Sequence, residues 1–169
     1  MRSKRLLLAA LMAWPTSALG QTPQKPFVIA SNIQIESGDT WTQDGLKFRL
    51  YGVQSCLRGT EYDEGGRQTD CGLVSIAQFA ALVQSSSASC QPLGAANDGA
   101  VFVVCGAKIG HVTVDVGTAL IASGYAFAAV DKSGAPINSN YLVTELVAKT
   151  RRQGLWAGDF AHPVQLLLK

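Results

Sequence analysis

Asp39-Thr-Trp-Thr-Gln-Asp-Gly-Leu-Lys-Phe-Arg-Leu-Tyr51 is the stretch on which the fold turns. Its two arms, 39–42 and 46–51, have the alternating character of strands with one face in a core. Between them sits Asp44-Gly45, a pair that tolerates the positive φ angles of a tight hairpin turn. Upstream, Phe27-Val-Ile29 and Ile33-Gln-Ile35 carry the same strand-like character. A three-stranded meander is the economical reading.

Downstream the period changes. Arg58 to Asp70 holds glycines and charges with few apolar residues and reads as an exposed loop. Leu73, Ile76, Ala77, Ala80, Ala81 and Leu82 then recur at helical spacing, and the helix they predict ends at the serine run Ser85–Ser87. Two more short strands are expected, around Cys90 and over Val101–Cys105, on either side of the turn-rich Gly94–Gly99. Val116–Ser123 reads as a short helix closed by Gly124, and Tyr141–Gln153 as a third, ended by Gly154. The expected fold class is α+β, a five-stranded OB-type β-barrel with three helices, the first helix inserted after the third strand. Such barrels bind oligonucleotides or oligosaccharides on one face, but a fold alone gives no function.

At the N-terminus Arg2, Lys4 and Arg5 precede the apolar run Leu6–Trp14, Pro15 and the small residues Ser17, Ala18 and Gly20. That order predicts a signal peptide over residues 1–20, cleaved near Gly20–Gln21, and a periplasmic or secreted product. A membrane anchor is the competing reading, but a span needs about 20 apolar residues, so no membrane span is expected. Residues 21–30 lead in, polar with two prolines through Pro26 and strand-like from Phe27, and the folded domain is placed at 31–169. The 149 residues from Gln21 onward suffice for one domain with a real core. Three of the 14 basic residues leave with the signal, so 11 Lys and Arg face 12 Asp and Glu, a net charge of −1. Nucleic-acid binding, which usually shows a basic excess, is possible but not favoured by this charge. Lys149, Arg151 and Arg152 form the one basic cluster and read as a solvated helix face.

Cys56, Cys71, Cys90 and Cys105 all lie in the exported part, and an even count in an oxidising compartment implies pairing. Four cysteines allow three connectivities. A hairpin about Gly94–Gly99 sets Cys90 opposite Cys105, and Cys56–Cys71 would then clamp the loop to the start of the first helix. Zinc is the competing use, but there is no CxxC pair, and neither His111 nor His162 lies at ligand spacing from a cysteine.

Gly38-Asp39-Thr40, Phe48-Arg49-Leu50-Tyr51-Gly52-Val53, Gly124-Tyr-Ala126, Tyr141-x-x-x-Glu145-x-x-Ala148 and Gly154-Leu-Trp156-x-Gly158-x-Phe160-x-x-Pro163 follow one another along the chain. In that order and spacing they resemble the staphylococcal-nuclease-like (thermonuclease) family, from about Ile33 to Pro163. The resemblance implies a calcium-dependent phosphodiesterase: carboxylates hold one Ca²⁺ at the scissile phosphate, a glutamate prepares the attacking water, and two arginines stabilise the transition-state charge.

Mapped residue by residue, that pattern is depleted. Of the family's turn aspartates, the first is replaced by Ser37 and the second is Asp39. The strand arginine is Arg49. Gln54 stands where the family has a metal-binding aspartate, Leu57 where it has the general base, and Ala100, after Gly99, where it has the second arginine. A single carboxylate beside an amide makes a poor calcium site, because affinity follows the number of charged ligands. Glu61, Asp63 and Glu64, on the loop after Cys56, are the acids that could substitute; the alternative for them is a solvated loop. Asp39 and Arg49 either keep a ligand-binding role or act as a buried strut, with Asp39 bracing backbone amides and Arg49 pairing with it. Trp156 and Phe160 read as core residues, while Tyr51 and Tyr62 are open.

Three functions follow as expectations: a binding or interaction module for an unknown protein or envelope ligand; a weak or redirected calcium-dependent phosphodiesterase; or an oligosaccharide-binding accessory in envelope polysaccharide metabolism. No cofactor is expected, save Ca²⁺ if residual activity remains. Intact-mass measurement of the protein from the envelope or medium is expected to show a mature N-terminus at or near Gln21. A retained Met1 would sink the signal-peptide reading.

Overall fold

The structure is a computed structural model that describes residues 25–168, so the expected signal peptide lies outside the described residues. The chain runs β1 (Phe27–Val28), β2 (Gln34–Ser37), β3 (Thr40–Gln43), β4 (Leu46–Leu50), β5 (Val53–Ser55), β6 (Glu61–Glu64), β7 (Arg67–Asp70), α1 (Cys71–Ser85), β8 (Ser87–Ala95), β9 (Val101–Ile109), β10 (Val112–Asp115), α2 (Val116–Ala122), β11 (Ala126–Ala128), α3 (Ser139–Thr150), a 3₁₀ turn (Gly154–Ala157), β12 (Asp159–Phe160) and α4 (Pro163–Leu167). It is a mixed α+β fold built on a curled, half-barrel sheet.

β2, β3 and β4 form the antiparallel meander, and Asp44 and Gly45 turn it with φ of 52° and 76°. β4 then pairs in parallel with β9, Phe48 opposite Val101, and β8 and β1 continue the sheet beyond β9. Phe27 stands opposite Cys90, so the sheet reaches back to Phe27, ahead of residue 31. Each of the three longer helices starts on a side-chain cap: Asp70 accepts from Leu73 N–H, Asp115 from Thr118 N–H and Asn138 from Asn140 N–H. α1 covers the concave face of the sheet with Phe79, which packs on Trp41 at 5.4 Å between ring centroids, and Trp41 packs in turn on Phe48.

Two expectations need correction. Arg58–Asp70 is no loop: β6 and β7 form a hairpin to which β12 adds a third strand. The physical reason is that only Tyr62 of the hairpin is buried, so its strands lack the apolar alternation that marks a strand, and β12 arrives from far along the chain to complete them. The expected five strands and three helices are also too few. The described residues hold four helices and two side sheets, β5–β11 and β6–β7–β12, besides the main one.

A second, smaller core gathers Cys56, Tyr62, Cys71, Phe127 and Leu155 under this hairpin. The disulfides are Cys56–Cys71 and Cys90–Cys105, the latter joining directly opposed residues of β8 and β9. Each stabilises by limiting the unfolded chain, on the order of 3 kcal/mol for loops of this size. Two disulfides point to an oxidising setting, extracellular or periplasmic.

Gly124, after α2, and Gly154, opening the 3₁₀ turn, meet backbone to backbone. Both have positive φ, 79° and 53°, and Leu155 N–H donates to the Gly124 carbonyl at 3.0 Å. A Cβ on Gly124 would lie 2.0 Å from the Gln153 carbonyl oxygen, whereas one on Gly45 would meet nothing within 4 Å. Gly124→Ala is therefore expected to cost about 3 kcal/mol or more, and Gly45→Ala only the backbone penalty of about 1 kcal/mol. Urea unfolding of the two variants checks this. Equal costs would mean that the contact of the two glycines is not fixed in the native state.

Candidate functional site

Five of the six family positions read from the sequence converge on one cleft. Ser37, Asp39, Arg49, Gln54 and Leu57 line it together with Thr40, Ser55, Cys56, Arg58 and Leu167, around a volume of about 330 Å³. The end of β2 and the turn after it supply Ser37 and Asp39, β4 supplies Arg49, β5 supplies Gln54, and α4 supplies Leu167. The sixth, Ala100, is fully buried and does not line the cleft.

Asp39 is only 5 % exposed, and its carboxylate is filled from within the protein. Oδ1 accepts from the Ser37 hydroxyl, from Thr40 Oγ1 at 3.1 Å and from Ser55 Oγ at 3.1 Å. Oδ2 accepts from Ser55 N–H at 3.2 Å. An ionised carboxylate has about two acceptor sites on each oxygen; the three donors on Oδ1 crowd that oxygen, while Oδ2 takes one. Gly38 makes the close approach possible, since a Cβ there would stand 2.7 Å from Ser75 Cβ on α1 and 3.0 Å from Ser55 Cβ. The bracing role for Asp39 is thus the one the geometry displays.

Arg49 does not pair with Asp39, which corrects the strut as expected from the sequence. Its Nε donates to Thr40 Oγ1 at 3.2 Å, and its Nη2 donates to Asp98 Oδ2 at 2.7 Å. Asp98 is the residue that sequence reading missed. It sits two positions before Ala100, whose N–H it also accepts at 3.3 Å, and the parallel β4–β9 pairing brings it to Arg49. The Arg49 guanidinium, in first place, holds the Asp98 carboxyl below the ordinary carboxylate range. The ion pair is accordingly lost only as pH falls through that lowered value.

Gln54 turns its amide onto the Ser55 carbonyl, Nε2 to O 2.9 Å. Leu57 and Leu167 give the cleft an apolar wall where the family pattern has a base. Arg58 lies 3.5 Å from Asp70 at the rim. Glu61, Asp63 and Glu64 do not reach this cleft. They lie on β6, where Asp63 accepts from Gly66 N–H at the hairpin turn and Glu64 lines a separate depression with Tyr62 and Arg67.

The donor set does not fit a calcium ion. The cleft offers one carboxylate, already bound by four protein donors, the nearby Asp98 is held by Arg49, and among the described residues no group of three or more His, Cys, Asp or Glu side chains is placed to hold a metal. Trp156 and Phe160, expected in the core, pack around Phe127 with ring centroids 5.4 Å away. Tyr62 is buried in the same cluster, while Tyr51 is partly exposed on the outer sheet face beside Phe102.

Removing Asp39 strands a buried amide and three hydroxyls, so Asp39→Ala is expected to destabilise the fold by about 3 kcal/mol or more. Asp98→Ala opens a partly exposed ion pair and is expected to cost under about 1 kcal/mol. Urea unfolding without added metal measures both. An unchanged midpoint for Asp39→Ala would free its carboxylate for a ligand role. No protein-family model matches this chain, and no curated protein matches it.

Proposed function

We propose that this is an exported, staphylococcal-nuclease-like OB-type domain that has given up calcium-dependent phosphodiester cleavage and works as a binding or interaction module. The observation that carries the reading is the state of Asp39, whose carboxylate takes four hydrogen bonds from Ser37, Thr40 and Ser55, three on Oδ1 and one on Oδ2. Cleavage of a phosphodiester at this cleft would need a carboxylate open to a metal, a base beside the attacking water and a guanidinium free to meet the phosphate. Asp39 is tied to four protein donors and stands as the one carboxylate of the cleft, Leu57 is no base, and Arg49 is held by Asp98. Losing a base typically costs about 10² to 10⁴ in rate and a charge-stabilising donor about 10² to 10³. The two disulfides suit a chain that works after export.

The purified protein is expected to show no calcium-stimulated cleavage of single-stranded DNA or RNA above background. Ser37→Asp, Gln54→Asp and Leu57→Glu, combined with Asp98→Asn to release Arg49, are expected to bring detectable calcium-dependent cleavage, while each single change does little. Robust cleavage by the unaltered protein, abolished both by a chelator and by Arg49→Gln, would refute the proposal.

A further inference from the structure

α3 faces two environments. Tyr141, Glu145 and Ala148 are buried against the core. On the opposite side Val143, Leu146 and Val147 are 60 %, 52 % and 45 % exposed. With Thr150 they fall on one helical stripe, and with Arg151 as well they line a shallow depression of about 270 Å³. Single exposed aliphatic residues are ordinary, but a contiguous row of them on one face marks a contact surface.

The charge beside this stripe has one sign. Lys149, Arg151 and Arg152 are exposed at the end of the helix. The one acid of α3, Glu145, is turned inward, where it accepts from Ala128 N–H at 2.6 Å and meets His162 at 3.2 Å. Among the described residues none of the three cations forms an ion pair. Lys149 lies 5.1 Å from the centre of the Trp156 ring, and Arg152 Nη2 donates to the Ala157 carbonyl at 2.7 Å. Those contacts, to the 154–157 turn, leave the charges uncancelled, and Arg151 is the cation that lines the depression with the stripe. From Gln21 onward acids and bases nearly balance, so the cluster is a local segregation.

The shape selects the occupant. A peptide groove needs two walls, and here α3 and the residue after it are the whole lining. Aliphatic side chains on a convex helix beside unpaired cations match the boundary between lipid headgroups and acyl chains. We propose that the outer face of α3 docks the protein on an anionic bilayer surface, with Val143, Leu146 and Val147 entering the headgroup boundary and Lys149, Arg151 and Arg152 meeting lipid phosphates. The association is peripheral: no helix of the described residues is long and apolar enough to cross a membrane. It is independent of the cleft.

Vesicle co-sedimentation tests this on the protein as its producing cell releases it, with wild type and variants sharing one N-terminus by intact mass. Binding is expected to vesicles of phosphatidylcholine mixed equally with phosphatidylglycerol, to be absent with phosphatidylcholine alone, and to be lost at high salt. Arg151→Gln is expected to weaken it about fivefold, and Val143→Ser with Leu146→Ser to abolish it without moving the unfolding midpoint. Val112→Ser, at an exposed position on β10, is expected to leave it unchanged. No binding, equal binding to both vesicles, or binding indifferent to the α3 variants overturns the proposal. So does a concentration-dependent dimer that Leu146→Ser dissolves, because the face would then belong to a second copy.

Discussion

A carboxylate taken out of water must be given hydrogen bonds or it unfolds what surrounds it, and the buried Asp39 imposes that demand on the centre of this molecule. Its donors come from the β2–β3 turn and from β5, so satisfying it draws those segments together. Gly38 lets the turn close onto α1, and there Ser75 Oγ accepts from Cys56 N–H while donating to the Tyr125 carbonyl. One buried charge thus ties the meander, α1 and the approach to β11 into a single joint. The Cys56–Cys71 bridge sits on the same joint from the other side.

A second polar knot holds the far end of the chain. Glu145 links α3 to β11 through Ala128 N–H and to the segment before α4 through His162, inside a ring of aromatic side chains around Phe127. The contact of Gly124 with Gly154 runs beside it. The motifs Gly124-Tyr-Ala126, Glu145-x-x-Ala148 and Gly154-Leu-Trp156 therefore meet in space and describe packing more than chemistry.

What could be read along the chain was local. The Asp44-Gly45 turn needs only its own two positive φ angles, and the opposition of Cys90 and Cys105 follows once β8 and β9 form a hairpin. The grouping of Ser37, Asp39, Arg49, Gln54 and Leu57 comes from the family resemblance alone, and the cleft they line together spans β2, the turn after it, β4, β5 and the residues that follow. Glu61–Asp70 could not be read as strands, since a mostly exposed hairpin carries no apolar period and its third partner is β12. The partnership of Arg49 with Asp98 was hidden for a similar reason. It exists only because β4 and β9 lie side by side, and nothing near Arg49 in sequence announces that pairing.

The β4–β9 contact also orders events in time. The other pairings of the main sheet join neighbouring strands, apart from the two-residue β1 on β8, and they need only short loops to close. The parallel match of Phe48 with Val101 joins strands separated in the chain by β5, β6, β7, α1 and β8. Contacts distant in sequence are the slow ones to assemble, so closure of the sheet is expected to come late in folding. Until it occurs the core faces of β4 and β9 stand open to water. A bridge that already fixes β9 to β8 presents the second half of the sheet as a preassembled ribbon, leaving one docking where there would otherwise be two.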